Sequence, residues 1–391
     1  MDTEKLPSKN TAVIIYLLGF LYALHVALPT YIASSFLENI LGASFIGIVY
    51  TTGAITTLIA FLLTNKILRR FGNYKTIISL AIIEIIALII LSSSQQSWLI
   101  FIAFVVSFTA ISLTHFAVDI FLESFTGSNK TGKVRGNYLT MANVAWVLAP
   151  MISSFILGDS NDYWKVYAVS AIIIIPVFIL IRKNLKGFVD PEYTDVPIIP
   201  TIEHIWHNKN LRSILSANFL LQIFYSWMVI YMPIYLHQII GFNWEQIGII
   251  FAVMLLPFIL TEAPLGRLAD TKYGEKEILS IGFVVVAIST IIISFITTNN
   301  FYLWMAILFC TRIGASMIEI MTDTYFFKKV NESRVNIVSI FRTMLPWSYV
   351  IGPFVASAFL MFGVPLQYIF LILGIIMLGG LQYSLAIEDT R

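Results

Sequence analysis

Long apolar runs alternate with short polar breaks from one end of the chain to the other. Twelve runs are long enough to span a bilayer as helices: 11–33, 42–64, 75–94, 98–123, 137–158 and 163–183, then 212–236, 244–265, 277–297, 301–325, 335–361 and 364–385. A spanning helix needs about 20 apolar residues, because hydrocarbon offers the backbone no hydrogen-bond partner and the ladder must close within the segment. The longest break, Lys186 to Lys209, falls between the sixth and seventh runs. It holds Pro191, Pro197 and Pro200, then an amphipathic stretch with Ile202, Ile205 and Trp206 on one side and Thr201 placed to cap it. It reads as a linker ending in a helix on the membrane surface, with a plain solvated loop as the alternative. The pattern predicts an all-α polytopic membrane protein, divided as 1–185, a linker 186–210, and 211–391.

Composition sharpens this. The 391 residues are 58% hydrophobic and 12% charged, with a mean hydropathy of +0.85. Soluble domains carry about 25% charge. The net charge of +2 points to no nucleic-acid partner. Cys310 is the single cysteine and lies in an apolar run, which leaves neither a disulfide nor a cysteine-based metal site. No zinc-ligand spacing such as His-Glu-x-x-His occurs, and no P-loop is present for ATP hydrolysis. No cofactor and no enzymatic role are expected. Met1 to Asn10 is polar and the first apolar run is long enough to span, so no cleavable signal is expected.

Charge also predicts orientation. With the N-terminus inside, 21 of the 24 lysines and arginines fall in inner segments; Arg312 and Arg342 lie within runs, and Lys165 alone is outside. That asymmetry predicts both termini in the cytoplasm.

The two halves repeat. Pro29-x-Tyr31 recurs as Pro233-x-Tyr235, Ile46-Gly47-Ile48 as Ile247-Gly248-Ile249, Asp119 as Asp323, and Ala149-Pro150 as Gly352-Pro353. The offsets run from 201 to 204 residues, so the pattern is a duplicated six-helix unit with both copies in one orientation.

Between the eighth and ninth runs lies Gly266-Arg267-Leu268-Ala269-Asp270-Thr271-Lys272-Tyr273-Gly274-Glu275-Lys276. Gly266 carries no side chain to hold a neighbouring backbone away, Gly274 permits a sharp reversal, and the lysines supply positive charge. This stretch resembles the signature loop of the major facilitator superfamily, Gly-x-x-x-Asp-(Arg/Lys)-x-Gly-x-(Arg/Lys), with one extra residue between Asp270 and Gly274. A degenerate first copy, Asn65 to Lys75, keeps Arg70, Gly72 and Lys75 but has Asn65 for the glycine and Arg69 for the aspartate.

The resemblance covers essentially the whole chain and implies two pseudo-symmetric six-helix bundles. It also implies a secondary transporter that works by alternating access, with helices one, four, seven and ten lining the cavity. It implies gating contacts at Arg69, Arg70, Gly72, Asp119, Gly266, Arg267, Asp270, Gly274 and Asp323, with Asp270 set against the start of helix five. Ala149-Pro150 resembles a weakened form of the Gly-Pro motif of antiporters in the family.

Charges within spanning helices are expensive, so each is a functional candidate. His25 and His115 are either proton relays or neutral core residues. Asn218, Gln222 and Tyr225 form one polar and aromatic stripe on helix seven, with Asn143 and Trp146 on helix five. This lining suits a ligand with flat or apolar parts and a few polar groups. Arg312, Glu319 and Arg342 form the favoured charge group, with an ion pair between Glu319 and Arg342 allowed by depth. Glu84 on helix three reads as a supporting hydrogen bond. The expected protein is a monomeric plasma-membrane transporter of a small organic solute, with proton-coupled export as the first reading. Uptake of a sugar or metabolite, and a sensor or scaffold that kept the fold, are the alternatives.

Overall fold

The structure, a computed structural model, describes residues 9–42, 45–125, 131–158, 160–193, 198–329 and 335–388. Twelve of its helices are long and apolar enough to cross a membrane. Among the described residues there is no strand. The first half holds α1 (Lys9–Thr30), α2 (Ala33–Leu41), α3 (Ile46–Phe71), α4 (Asn73–Ser93), α5 (Ser97–Phe125), α6 (Thr131–Leu157) and α7 (Trp164–Asn184). After α8 (Ile198–His207) come α9 (Lys209–Ile234), α10 (Trp244–Leu268), α11 (Glu275–Ile293), α12 (Phe301–Lys329), α13 (Val335–Arg342), α14 (Met344–Met361), α15 (Leu366–Leu378) and α16 (Gly380–Ala386).

The chain divides into two compact units: Met1–Ala43 with Thr52–Thr194, and Ser44–Thr51 with Asp195–Arg391. In the first, α1 packs against α6 and α7, and α4 against α5 and α7. The hydroxyls of Ser153 and Ser170 each donate at 2.6 Å to α1 carbonyls, those of Leu28 and His25. In the second, α12 packs against α9, α10 and α11, α11 against α15, and α9 against α14 and α16.

Spanning helices here are apolar all round, so hydropathy does not choose the inward face. Small and polar residues do. On α4, Ala81, Glu84 and Ala87 are buried while Ile82, Ile86 and Ile89 are exposed. Glu84 accepts from the Ser107 hydroxyl of α5 at 2.8 Å, which gives a buried acid one packed partner. Between α11 and α12, a Cβ on Gly314 would lie 2.8 Å from the Gly282 carbonyl oxygen, so the backbones approach as only glycine permits.

The two signature loops fold differently, and the extra residue of the second explains how. In the first, Gly72 N–H bonds the Leu68 carbonyl four residues back, and Gly72 turns the chain at φ 76°. In the second, residues Ala269–Tyr273 wind wider, and Gly274 N–H reaches the Ala269 carbonyl five residues back. One residue inserted into a helix is absorbed as a π-type turn. The offset between the copies grows accordingly, from 201 at Gly47 and Gly248 to 202 at Gly72 and Gly274.

In the central break, α8 begins at Ile198, ahead of Thr201, with Pro200 tolerated in its first turn. Thr201 is therefore a buried helical residue and not the cap. Ile205 is also buried, whereas Ile202 and Trp206 face outward. The expected apolar side is thus split between a packed edge and an exposed one.

Candidate functional site

Three helices of the second unit bring the favoured residues together. Tyr225 of α9 donates its hydroxyl to Glu319 Oε2 of α12 at 2.5 Å, within the short range of hydrogen bonds to carboxylates. The Phe258 ring of α10 stands edge-on to Tyr225 with centroids 6.2 Å apart. Arg312, two turns before Glu319 on α12, is only 2% exposed. Its guanidinium carbon lies 5.2 Å from the Phe224 ring centroid and 5.4 Å from that of Tyr225. Arg312 also acts electrostatically on Glu319. One turn before Gln222 on α9, Asn218 is buried and donates to the Thr322 hydroxyl at 3.5 Å. Gln222 itself is half-buried.

The expected pair of Glu319 with Arg342 is not formed. Glu319 takes its hydrogen bond from Tyr225 instead. The depth argument counted rise along 335–342, which is continuous helix α13, but equal depth sets only the level of two side chains and not whether they face each other.

In the first unit, His25 and His115 share one partner, Tyr22. Ring centroids lie 4.8 Å apart for Tyr22–His25 and also 4.8 Å apart for Tyr22–His115. The Tyr22 hydroxyl donates to the Ile111 carbonyl at 2.8 Å. His25 is 1% exposed, with Nδ1 2.5 Å from the Tyr22 carbonyl oxygen. Asn143 and Trp146 lie half-buried on α6, in the same unit. Sequence reading treated the two histidines separately, because the tyrosine that joins them carries no charge.

The gating candidates divide. Arg69 and Arg70 are exposed on the last turn of α3, with Arg70 over the Phe71 ring at 5.3 Å. Behind Gly72 stands an acid from beyond α7 that the sequence reading passed over. Asp190 Oδ1 accepts from the Asn73 N–H at 2.7 Å and from the Tyr193 hydroxyl at 2.6 Å. Burial and the Asp190 charge hold the Tyr193 hydroxyl well above the usual tyrosine range. Phe188 packs edge-on against Phe121 of α5, with centroids 4.4 Å apart.

In the second loop, a Cβ on Gly266 would meet nothing within 4 Å, so the close backbone approach expected there is absent among the described residues. Gly274 turns at φ 78° as expected. Next to it Glu275, 1% exposed, pairs with Lys328 of α12. Asp119 and Asp323 are half-buried. The side chains of Glu123, Glu262, Arg267 and Asp270, the last expected against helix five, lie outside the described residues. No metal-binding group of three or more His, Cys, Asp or Glu occurs among the described residues.

Twelve spans in a duplicated pattern, with a polar and aromatic constellation buried between helices, are the architecture of a polytopic membrane protein. The family model of the Major Facilitator Superfamily matches residues 15–256 and 245–387, and the chain belongs to that family. Among solved structures, the nucleoside transporter NupG superposes with a TM-score of 0.76 at 13% identity, covering 96% of this chain and 98% of that one. A mutant of the same transporter gives 0.78 at 14% identity, covering 96% and 99%. At such identity the likeness is one of fold. No curated protein matches the chain.

Proposed function

We propose that this transporter moves a small organic solute by proton-coupled alternating access, with export as the direction. The observation that carries the reading is the Tyr225–Glu319 bond beside the buried Arg312. A carboxyl group on a spanning helix, held by one hydroxyl, is placed to exchange a proton or meet a solute, and such residues mark transport pathways. Tyr225 and Phe258, both half-buried, offer ring faces for a flat solute, and the half-buried Gln222 adds an amide group. Export is supported by Ala149-Pro150, with Ala149 buried and Pro150 inside α6. The distribution of basic residues supports cytoplasmic termini.

Proteoliposomes with an imposed pH gradient test this against nucleosides, sugars, amino acids, lipophilic cations and aromatic acids. Nucleosides join the panel because the structural neighbour NupG transports them. Glu319→Gln keeps an oxygen to accept from Tyr225 but carries no exchangeable proton. It should retain solute counterflow and lose acceleration by the gradient. Wild-type protein that moves none of the panel, or a variant with an unaltered pH profile, refutes the reading.

A further inference from the structure

Arg312 is buried to 2% exposure, yet its Nε has no hydrogen-bond partner. No hydrogen bond or ion pair from the other guanidinium nitrogens to the chain is formed among the described residues either. A guanidinium presents five N–H donors in a rigid fork. The ring faces of Phe224 and Tyr225 hold it by its charge and occupy none of those donors. Glu319 does not fill the fork. It is seven residues further along α12, about 10 Å by helical rise, and its Oε2 already accepts from Tyr225. A cation withdrawn from water without an acceptor is strongly unfavourable, so this fork is built to receive one.

We infer that Arg312 is the anion-binding element of the site and that the solute is an organic carboxylate with a flat, apolar or aromatic body. The inference rests on the reading of α9, α10 and α12 as the solute site. A carboxylate satisfies a guanidinium through two parallel N–H···O bonds and cancels its charge. A carbonyl or hydroxyl would fill one donor and leave the charge uncompensated. Tyr225 and Phe258, both only half-buried and edge-on to each other, lie where the body attached to that carboxylate would stack. Glu319 at the other end of the constellation repels a second anion, which fixes the acid end of the solute toward Arg312.

The test compares acids with their own amides, which match in ring and size and differ in charge. Phenylacetate and phenylacetamide, and indole-3-acetate and indole-3-acetamide, are titrated against the purified full-length protein in thermal-shift and proteoliposome assays at neutral pH. At least one acid should bind on the order of tenfold or more tighter than its amide, as expected when a charged hydrogen-bond pair is made. Arg312→Gln should remove that preference. Arg312→Lys, which keeps the charge but not the fork, should keep part of it. Equal binding of acid and amide by the wild type overturns the inference without any variant, as does the failure of all four probes to bind. A preference that survives in both variants also overturns it. Proton-driven transport of a neutral solute, with the acids ignored, would sink this inference and leave the transporter reading standing.

Discussion

Removing the Asp190 carboxylate should loosen the strap that follows α7 from the start of α4. The Asn73 N–H lies in the first turn of α4 and has no acceptor within its own helix. Asp190 supplies one at 2.7 Å and is itself steadied by Tyr193 at 2.6 Å. Losing a capping acceptor costs about 0.5–2 kcal/mol, and an anion at a helix N-terminus adds about 0.3–1 kcal/mol. Asp190 is exposed, so the lower ends apply and Asp190→Ala should cost about 1 kcal/mol.

Gly72→Ala tests the same contact from the other side. Gly72 sits at φ 76° and ψ 161°, a region that costs a residue with a side chain about 1–3 kcal/mol. Its Cβ would also lie 2.5 Å from Asp190 Oδ2. Asp190 can move aside only by releasing Asn73 and Tyr193, so the steric part adds no more than about 1 kcal/mol. Once Gly72→Ala has displaced the carboxylate, Asp190→Ala has nothing left to remove. A double-mutant cycle read by thermal unfolding should show this coupling. Asp190→Ala alone should lower Tm by about 2–4 °C, less at high salt, and by almost nothing in the Gly72→Ala background. Equal losses in both backgrounds would refute the capping argument.

Two further outcomes follow from close packing and burial. Gly314→Ala should cost about 1–3 kcal/mol, because its Cβ would meet the Val286 backbone nitrogen at 2.7 Å and the Gly282 carbonyl at 2.8 Å. Gly266→Ala, which meets nothing, should be neutral or stabilising by up to about 1 kcal/mol; Tm of the two variants compared side by side checks both. Lys328→Met removes the ammonium that pairs with the buried Glu275 carboxylate and should cost about 2 kcal/mol, below the full buried-pair figure because Lys328 is 39% exposed. Adding Glu275→Gln should restore most of the lost Tm, and a further fall on adding it would refute the pair.

Hydropathy alone determined the twelve spans and the all-α class, because a bilayer permits so few ways of satisfying a backbone. The spacing of the repeats determined the duplication. A single surplus residue between Asp270 and Gly274 already marked the place where the second loop winds wider. What hydropathy leaves open is which face of an all-apolar helix turns inward and what each polar group meets there. Leu88 and Ile89 are neighbours of like size and hydropathy, yet Leu88 is buried and Ile89 exposed. Glu319 was legible as a costly charge, but only the folded chain chose Tyr225 over Arg342, because depth along a helix does not say which way a side chain is turned. Tyr22 between two histidines, Asp190 at the start of α4 and Lys328 beside Glu275 are likewise decided by tertiary structure. Each joins residues distant in sequence whose pairing leaves no periodic trace, since a hydrogen bond across helices depends on their rotation and depth and not on spacing along one of them.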